Sequence, residues 1–142
     1  IVAACAAMAV AADDNGNGSV YNRILLAQLK EKRHALRGFY GMLYAADTED
    51  DATPHGLLWR WNIGRTPTIG GMFGRIKLKM LLFPQASQSG PFLDDFVNVI
   101  GEFDASKRVL RYTKPDDRQD DCVHATNYAE FIAMRVWAGQ QR

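Results

Sequence analysis

An apolar run, a dense polar turn and an amphipathic stripe follow one another at the start of the chain, and that succession narrows the folds open to it. Residues 1–12 read IVAACAAMAVAA. A run this short and this apolar is a buried strand or a buried helix, and periodicity does not decide between them. Its alanines favour helix; Ile1, Val2 and Val10 favour strand. Asp13-Asp14-Asn15-Gly16-Asn17-Gly18-Ser19 then signals a turn. Over residues 20–32, Val20, Ile24, Leu25 and Leu29 fall on one stripe, which predicts an amphipathic helix capped by Asn17 or Ser19. Buried element, acidic turn and helix make an α/β unit. Ligands of open α/β sheets gather beyond the carboxyl ends of the strands, and a strand here would put Asp13 and Asp14 at that rim. Asp and Asn are also ordinary turn formers, so a solvated turn explains the same residues.

The rest of the chain continues the alternation. Residues 36–44 (LRGFYGMLY) read as a strand, and 46–54 as an acidic loop. Residues 57–63 (LLWRWNI) read as a second strand, with Trp59 and Trp61 on one face and Arg60 on the other. Residues 64–68 form a connector in which Thr66 can cap a helix that has Pro67 at its first position. Residues 69–82 are ambiguous: three glycines weaken a helix, yet Met72, Ile76 and Met80, and Phe73, Lys77 and Leu81, have helical spacing. Residues 83–91 read as a loop. Residues 92–103 read as a helix with Phe92, Phe96, Val99, Ile100 and Phe103 toward the core. A short strand at 108–112, a polar turn at 113–119 and a closing helix from about 120 to 137 follow.

At 142 residues the chain is long enough for one domain with a real core. Its net charge is +1, so any affinity for nucleic acid comes from a local patch rather than from overall charge. Arg65, Arg75, Lys77 and Lys79 are the main basic cluster and the candidates for phosphate contact; the alternative is a solvated helix face. Two cysteines, Cys5 and Cys122, do not make a disulfide scaffold. No apolar run approaches the roughly 20 residues of a membrane helix. The opening run lacks a basic flank, so it does not read as a signal peptide. The chain does not begin with Met, and its first residues read like the middle of a core element, which leads us to expect a fragment or a processed chain.

Residues 116–129 concentrate acidic side chains ahead of the last helix. Asp120 or Asp121 can cap it, since a carboxylate accepts from its unpaired N–H groups and suits the positive end of its dipole. Val123, Tyr128, Phe131 and Ile132 supply an apolar face. Asp121 and His124, three apart, share one side of the first turn, where a carboxylate and an imidazole can hold a divalent metal with a further oxygen from Asp120. A cap beside a chance histidine is the plainer account. There is no GxxxxGK[ST], CxxC or HExxH, and Ser19 and Ser87 lack a nucleophile-elbow context, so a P-loop ATPase, a structural zinc site, a zincin and a Ser–His–Asp hydrolase have no support here. Oxygen-rich carboxylate sites suit Mg²⁺ or Mn²⁺, and a pair of such ions can activate water for phosphodiester cleavage.

Three pieces, in order, resemble the C-terminal nuclease domain of tailed-bacteriophage large terminases. They are the apolar segment with its Asp13-Asp14-Asn15-Gly16-Asn17-Gly18 turn and helix; the Arg65-Thr66-Pro67-Thr68 connector with the basic stretch after it and the FLDDF segment; and Asp120-Asp121-Cys122-Val123-His124-Ala125. The resemblance spans nearly the whole chain. It implies one α/β domain over residues 1–142, with an RNase H-like mixed sheet flanked by helices that lacks its first strands. It further implies a divalent-metal-dependent endonuclease that cuts double-stranded DNA during viral genome packaging in the host cytoplasm. Asp13 or Asp14 and Asp120 or Asp121 would bind Mg²⁺ or Mn²⁺ with His124 assisting, and Arg65, Arg75, Lys77 and Lys79 would hold DNA. A portal and a small terminase subunit would be partners, with no membrane involved. The family's first acidic position lies on an earlier strand, for which this chain has no residue. The alternative is a non-catalytic module that binds DNA or a packaging partner.

Overall fold

The ambiguity of the opening run ends in a strand, β1 (Ala9–Asp13), in the computed structural model, which describes residues 9–32, 38–45, 51–55 and 58–137. Residues 1–8, with Cys5, lie outside the described residues. The protein is mixed α/β and divides into two compact units, Ile1–Gly64 with Phe131–Arg142, and Arg65–Glu130.

The first unit is built on a four-stranded sheet in the order β1-β2-β4-β3. After β1 come helix α1 (Gly18–Glu31) and strands β2 (Gly38–Ala45), β3 (Asp51–His55) and β4 (Leu58–Gly64). β1, β2 and β4 run parallel, whereas β3 pairs antiparallel with β4. Parallel strands need a crossover, which α1 supplies between β1 and β2. Side chains alternate across the pleat, so the register sorts them by face. Val10 lies beside Phe39, and both meet Leu26 and Leu29 of α1 in a buried apolar cluster. On the opposite face, Tyr40, Met42 and Tyr44 stand beside Trp59, Trp61 and Ile63. Phe131 packs edge-on against Trp61 with ring centroids 5.4 Å apart. A parallel sheet is stable when its faces are covered; α1 covers one, and Phe131 rests on Trp61 on the other.

Two readings of this unit need correction. The α1 stripe that meets the sheet is Asn22, Leu26 and Leu29, while Val20 and Ile24 are exposed. Asn17 occupies the position before the helix without a side-chain cap bond. Residues 51–54, expected in a loop, belong to β3, an edge strand, where Pro54 costs little because only one side of the strand needs its N–H groups.

In the second unit α2 (Arg65–Lys77) begins directly after β4, so the expected connector is the first turn of the helix, and Pro67 sits where a missing N–H costs nothing. The basic stretch is only partly helical: the chain leaves α2 at Lys77, ahead of Lys79 and Met80. α3 (Ala86–Asn98) starts earlier than expected and contains Pro91. The residue before a proline normally resists helix because its Cβ meets the ring; Gly90 has none. α3 also ends sooner, because residues 100–104 belong to a hairpin of β5 (Ile100–Asp104) and β6 (Val109–Thr113). Ile100 and Phe103, expected in the core, lie on that hairpin and are exposed, and Phe92, also expected there, is exposed on α3. The aromatic centre of the unit is Phe73, Phe83, Phe96 and Tyr112, with Phe96 meeting both Phe73 and Phe83 edge-on. α4 (Asp121–Ile132) closes the unit and passes into a π-helical segment, Ala133–Trp137, so the closing helix expected to run unbroken to Trp137 changes pitch after Ile132.

Candidate functional site

The chain leaves β1 at Asp13 and turns into α1 through a close approach. A Cβ on Gly18 would lie 2.5 Å from the Asp13 carbonyl oxygen, so only glycine fits there. Asp13 is exposed, and its Oδ1 accepts the Asn15 N–H at 3.1 Å, an Asx turn. Asp14 is the opposite case. Its backbone N–H donates to Met42 O at 2.8 Å, which carries the β1–β2 pairing one residue further. Its side chain is wholly buried. Arg60, reaching over from β4, donates to Asp14 Oδ2 through Nε at 2.6 Å and Nη2 at 2.5 Å. Asn22 of α1 donates through Nδ2 to Asp14 Oδ1 at 3.2 Å and to the Asp13 carbonyl at 2.8 Å. A carboxylate out of water needs such partners, and two elements provide them here.

In the second unit the acidic segment before α4 splits its two roles differently from the sequence reading. Asp120 is buried and Asp121 exposed. The Asp120 backbone carbonyl accepts the N–H groups of Val123 and His124 at 3.0 and 3.2 Å, the opening bonds of the helix. Its carboxylate does not cap. Oδ2 lies 2.8 Å from His124 Nε2, one helical turn on, and 3.6 Å from the Arg65 guanidinium. A carboxylate only accepts, so Nε2 is the donor here, and the bond fixes the orientation of the imidazole. The His124 ring also stacks on Tyr128, centroids 6.4 Å apart. The side-chain cap comes instead from α3, whose Asp95 Oδ2 accepts the Cys122 N–H at 2.9 Å.

Three polar links join α2 to the α4 segment in the same order along both: Arg65 to Asp120, Thr68 to Asn127, and Arg75 to Glu130. The Arg75 guanidinium is a fork on Glu130, Nη2 to Oε2 at 2.7 Å and Nε to Oε1. That hydrogen bonding pushes the Arg75 pKa up. Of the four basic candidates, Arg65 and Arg75 therefore face carboxylates, while Lys77 and Lys79 are exposed.

Asp13 and Asp14 thus belong to the first unit, and Asp120, Asp121 and His124 to the second; the structure brings together Asp120 with His124 and Asp14 with Arg60. Arg60, Asn22, Asp95 and Glu130 escaped sequence reasoning as functional neighbours. Only the alternation that set Arg60 opposite the two tryptophans pointed toward one of them. Among the described residues no three of His, Cys, Asp and Glu lie together closely enough to hold a metal ion. A Mg²⁺ or Mn²⁺ that keeps most of its waters needs only one or two carboxylates, and Asp120 can supply one. Among the described residues no helix is long and apolar enough to cross a membrane. No protein-family model, no curated protein and no solved structure matches the chain.

Proposed function

We propose that this chain is the nuclease part of a viral genome-packaging enzyme, an RNase H-like, divalent-metal-dependent endonuclease acting on double-stranded DNA in the host cytoplasm. The observation that carries the reading is the Asp120–His124 pair: a buried carboxylate and an imidazole 2.8 Å apart at the head of α4. Asp13 and Asp14 at the carboxyl end of a parallel strand support it, since ligands of open α/β sheets collect at such ends. When bound, Mg²⁺ or Mn²⁺ lowers the pKa of water and stabilises the charge that develops on the leaving oxygen. Asp120 would hold the ion through its carboxylate, and His124, fixed beside it, would orient the attacking water. Arg65 and Lys77 take the DNA backbone. Phosphate contacts position without specifying, so little sequence preference is expected. A portal and a small terminase subunit are the partners this reading implies.

The test is Mn²⁺-dependent nicking of supercoiled plasmid by the protein that carries this chain. Asp120→Ala is expected to abolish nicking, and His124→Ala to lower it by about a hundredfold. Unchanged nicking by Asp120→Ala would remove the site. One observation favours a second reading, a non-catalytic binding module. The Asp14 carboxylate is already matched by Arg60 and Asn22, as a structural acid is, and Trp59 is half exposed on the sheet. Calorimetric titration with Mn²⁺ separates the two readings: heat of binding that is lost in Asp120→Ala supports the nuclease, and no heat supports the module.

A further inference from the structure

Unit two exposes apolar side chains in a pattern its own core does not explain. Past α2 the chain forms a knuckle, Lys77-Leu78-Lys79-Met80-Leu81-Leu82, in which Leu78 and Met80 are 70% exposed and Leu82 is 79% exposed. The knuckle has a defined shape. Met80 N–H donates to the Arg75 carbonyl at 2.8 Å and Lys79 N–H to the Ile76 carbonyl at 3.0 Å, the paired bonds of a Schellman C-cap. Lys79 holds the left-handed position of that cap, φ 58°, which glycine usually occupies. A lysine here keeps a cation standing out between two exposed apolar side chains. Residues 77–84 contain no acid.

The outer face of α3 is its counterpart. Val97 is 79% exposed and Leu93 is exposed with it; at 100° per residue the two share a face with Asp94 on its flank, and Asp94 is exposed too. The aromatic contact between Phe83 and Phe96 ties the end of the knuckle to α3, one residue before Val97. The knuckle, with its lysines, and the α3 face, with its aspartate, therefore belong to one unit and are linked through that contact. Exposed apolar side chains gathered on one element mark an interaction surface, whereas singly scattered ones do not.

Charge selects the occupant. Two surfaces of opposite sign, each with an apolar centre, complement each other between two copies related by a two-fold axis, where every contact is made twice. We propose that this chain pairs with a second copy of itself, the Lys77–Leu82 knuckle of each copy resting on the Leu93, Asp94 and Val97 face of α3 in the other. Lys79 meets Asp94 across the interface, with Leu78, Met80 and Leu82 covering Leu93 and Val97.

Sedimentation equilibrium of the full chain from about 1 to 200 μM tests this. The expected result is a monomer–dimer equilibrium. Lys79→Glu and Asp94→Lys, each of which sets like charges opposite one another, are expected to raise the dissociation constant on the order of tenfold, and the double variant to recover most of the loss. Val97→Glu is expected to give monomer throughout the range. All three positions are exposed, so circular dichroism of the variants should match the parent. A parent that stays monomeric up to 200 μM overturns the proposal. So does a dimer whose dissociation constant neither charge reversal nor Val97→Glu changes, since another surface then carries it.

Discussion

Asp14 shows how a single residue can be read correctly in place and differently in role. Its position at the end of β1 follows from the apolar run and the turn after it. Its partner Arg60 is 46 residues away in sequence, and nothing local announces it. Removing the guanidinium leaves a buried carboxylate with Asn22 as its side-chain donor. Arg60→Met is therefore expected to destabilise the protein by roughly 2–4 kcal/mol, somewhat below the cost at a fully buried pair because part of the arginine reaches solvent. Urea unfolding checks this, and a change within 0.5 kcal/mol would contradict it. Asp104 is a second case. Its Oδ1 accepts the Ser106 hydroxyl at 2.6 Å and the N–H groups of Ser106 and Lys107, which closes the β5–β6 turn. The Ser106 hydroxyl, and next the Lys107 N–H, hold its carboxyl below the usual range. A depressed folded value means that the ionised form is favoured by folding. Its contribution is complete above the ordinary carboxylate value and is lost as pH falls through the depressed one. Ser106→Ala removes the largest cause, so a carboxyl NMR titration should show the Asp104 midpoint moving upward.

Elements were legible where local pattern and tertiary environment agree. α1 and the strands β2 and β4 follow from periodicity, and Trp59, Arg60 and Trp61 sort by face as alternation requires. β3 was hidden because an Asp- and Pro-containing segment has poor strand propensity and is held by pairing with β4. α3 was misplaced at both ends. Pro91 imitates a helix start, and the spacing of Val99, Ile100 and Phe103 continues a helical period into what is a strand. The start of α4 was legible, but its capping was not, because the cap is lent by α3. Asp95→Ala is expected to cost about 1 kcal/mol, as loss of a side-chain cap does. The same change has a chemical signature. The Cys122 thiol is pushed up by burial first, then by the hydrogen bond to Asp95 and by its charge. Without Asp95 its pKa should fall, and iodoacetamide should alkylate it faster at a given pH. An unaltered rate together with unaltered stability would show that Asp95 is no cap.

At the scale of the molecule, composition and the α/β alternation announced a mixed fold, and the four-stranded sheet with its β5–β6 pair is such a fold. The division into units was not legible: residues 64–68 read as a short connector within one domain, and there a strand passes straight into a helix. The candidate site was legible as residue types: acids at the end of β1, and an acid with a histidine at the head of α4. Which acid faces the histidine depended on helix phase and on Asp95, and the sequence carries no local sign of either. The same division has an optical consequence. The three tryptophans, Trp59, Trp61 and Trp137, all fall in the first unit. Tryptophan emission therefore originates in the first unit alone. Spectroscopy of the region that holds Asp120 and His124 has to rely on Tyr112 and Tyr128, or on a tryptophan introduced there.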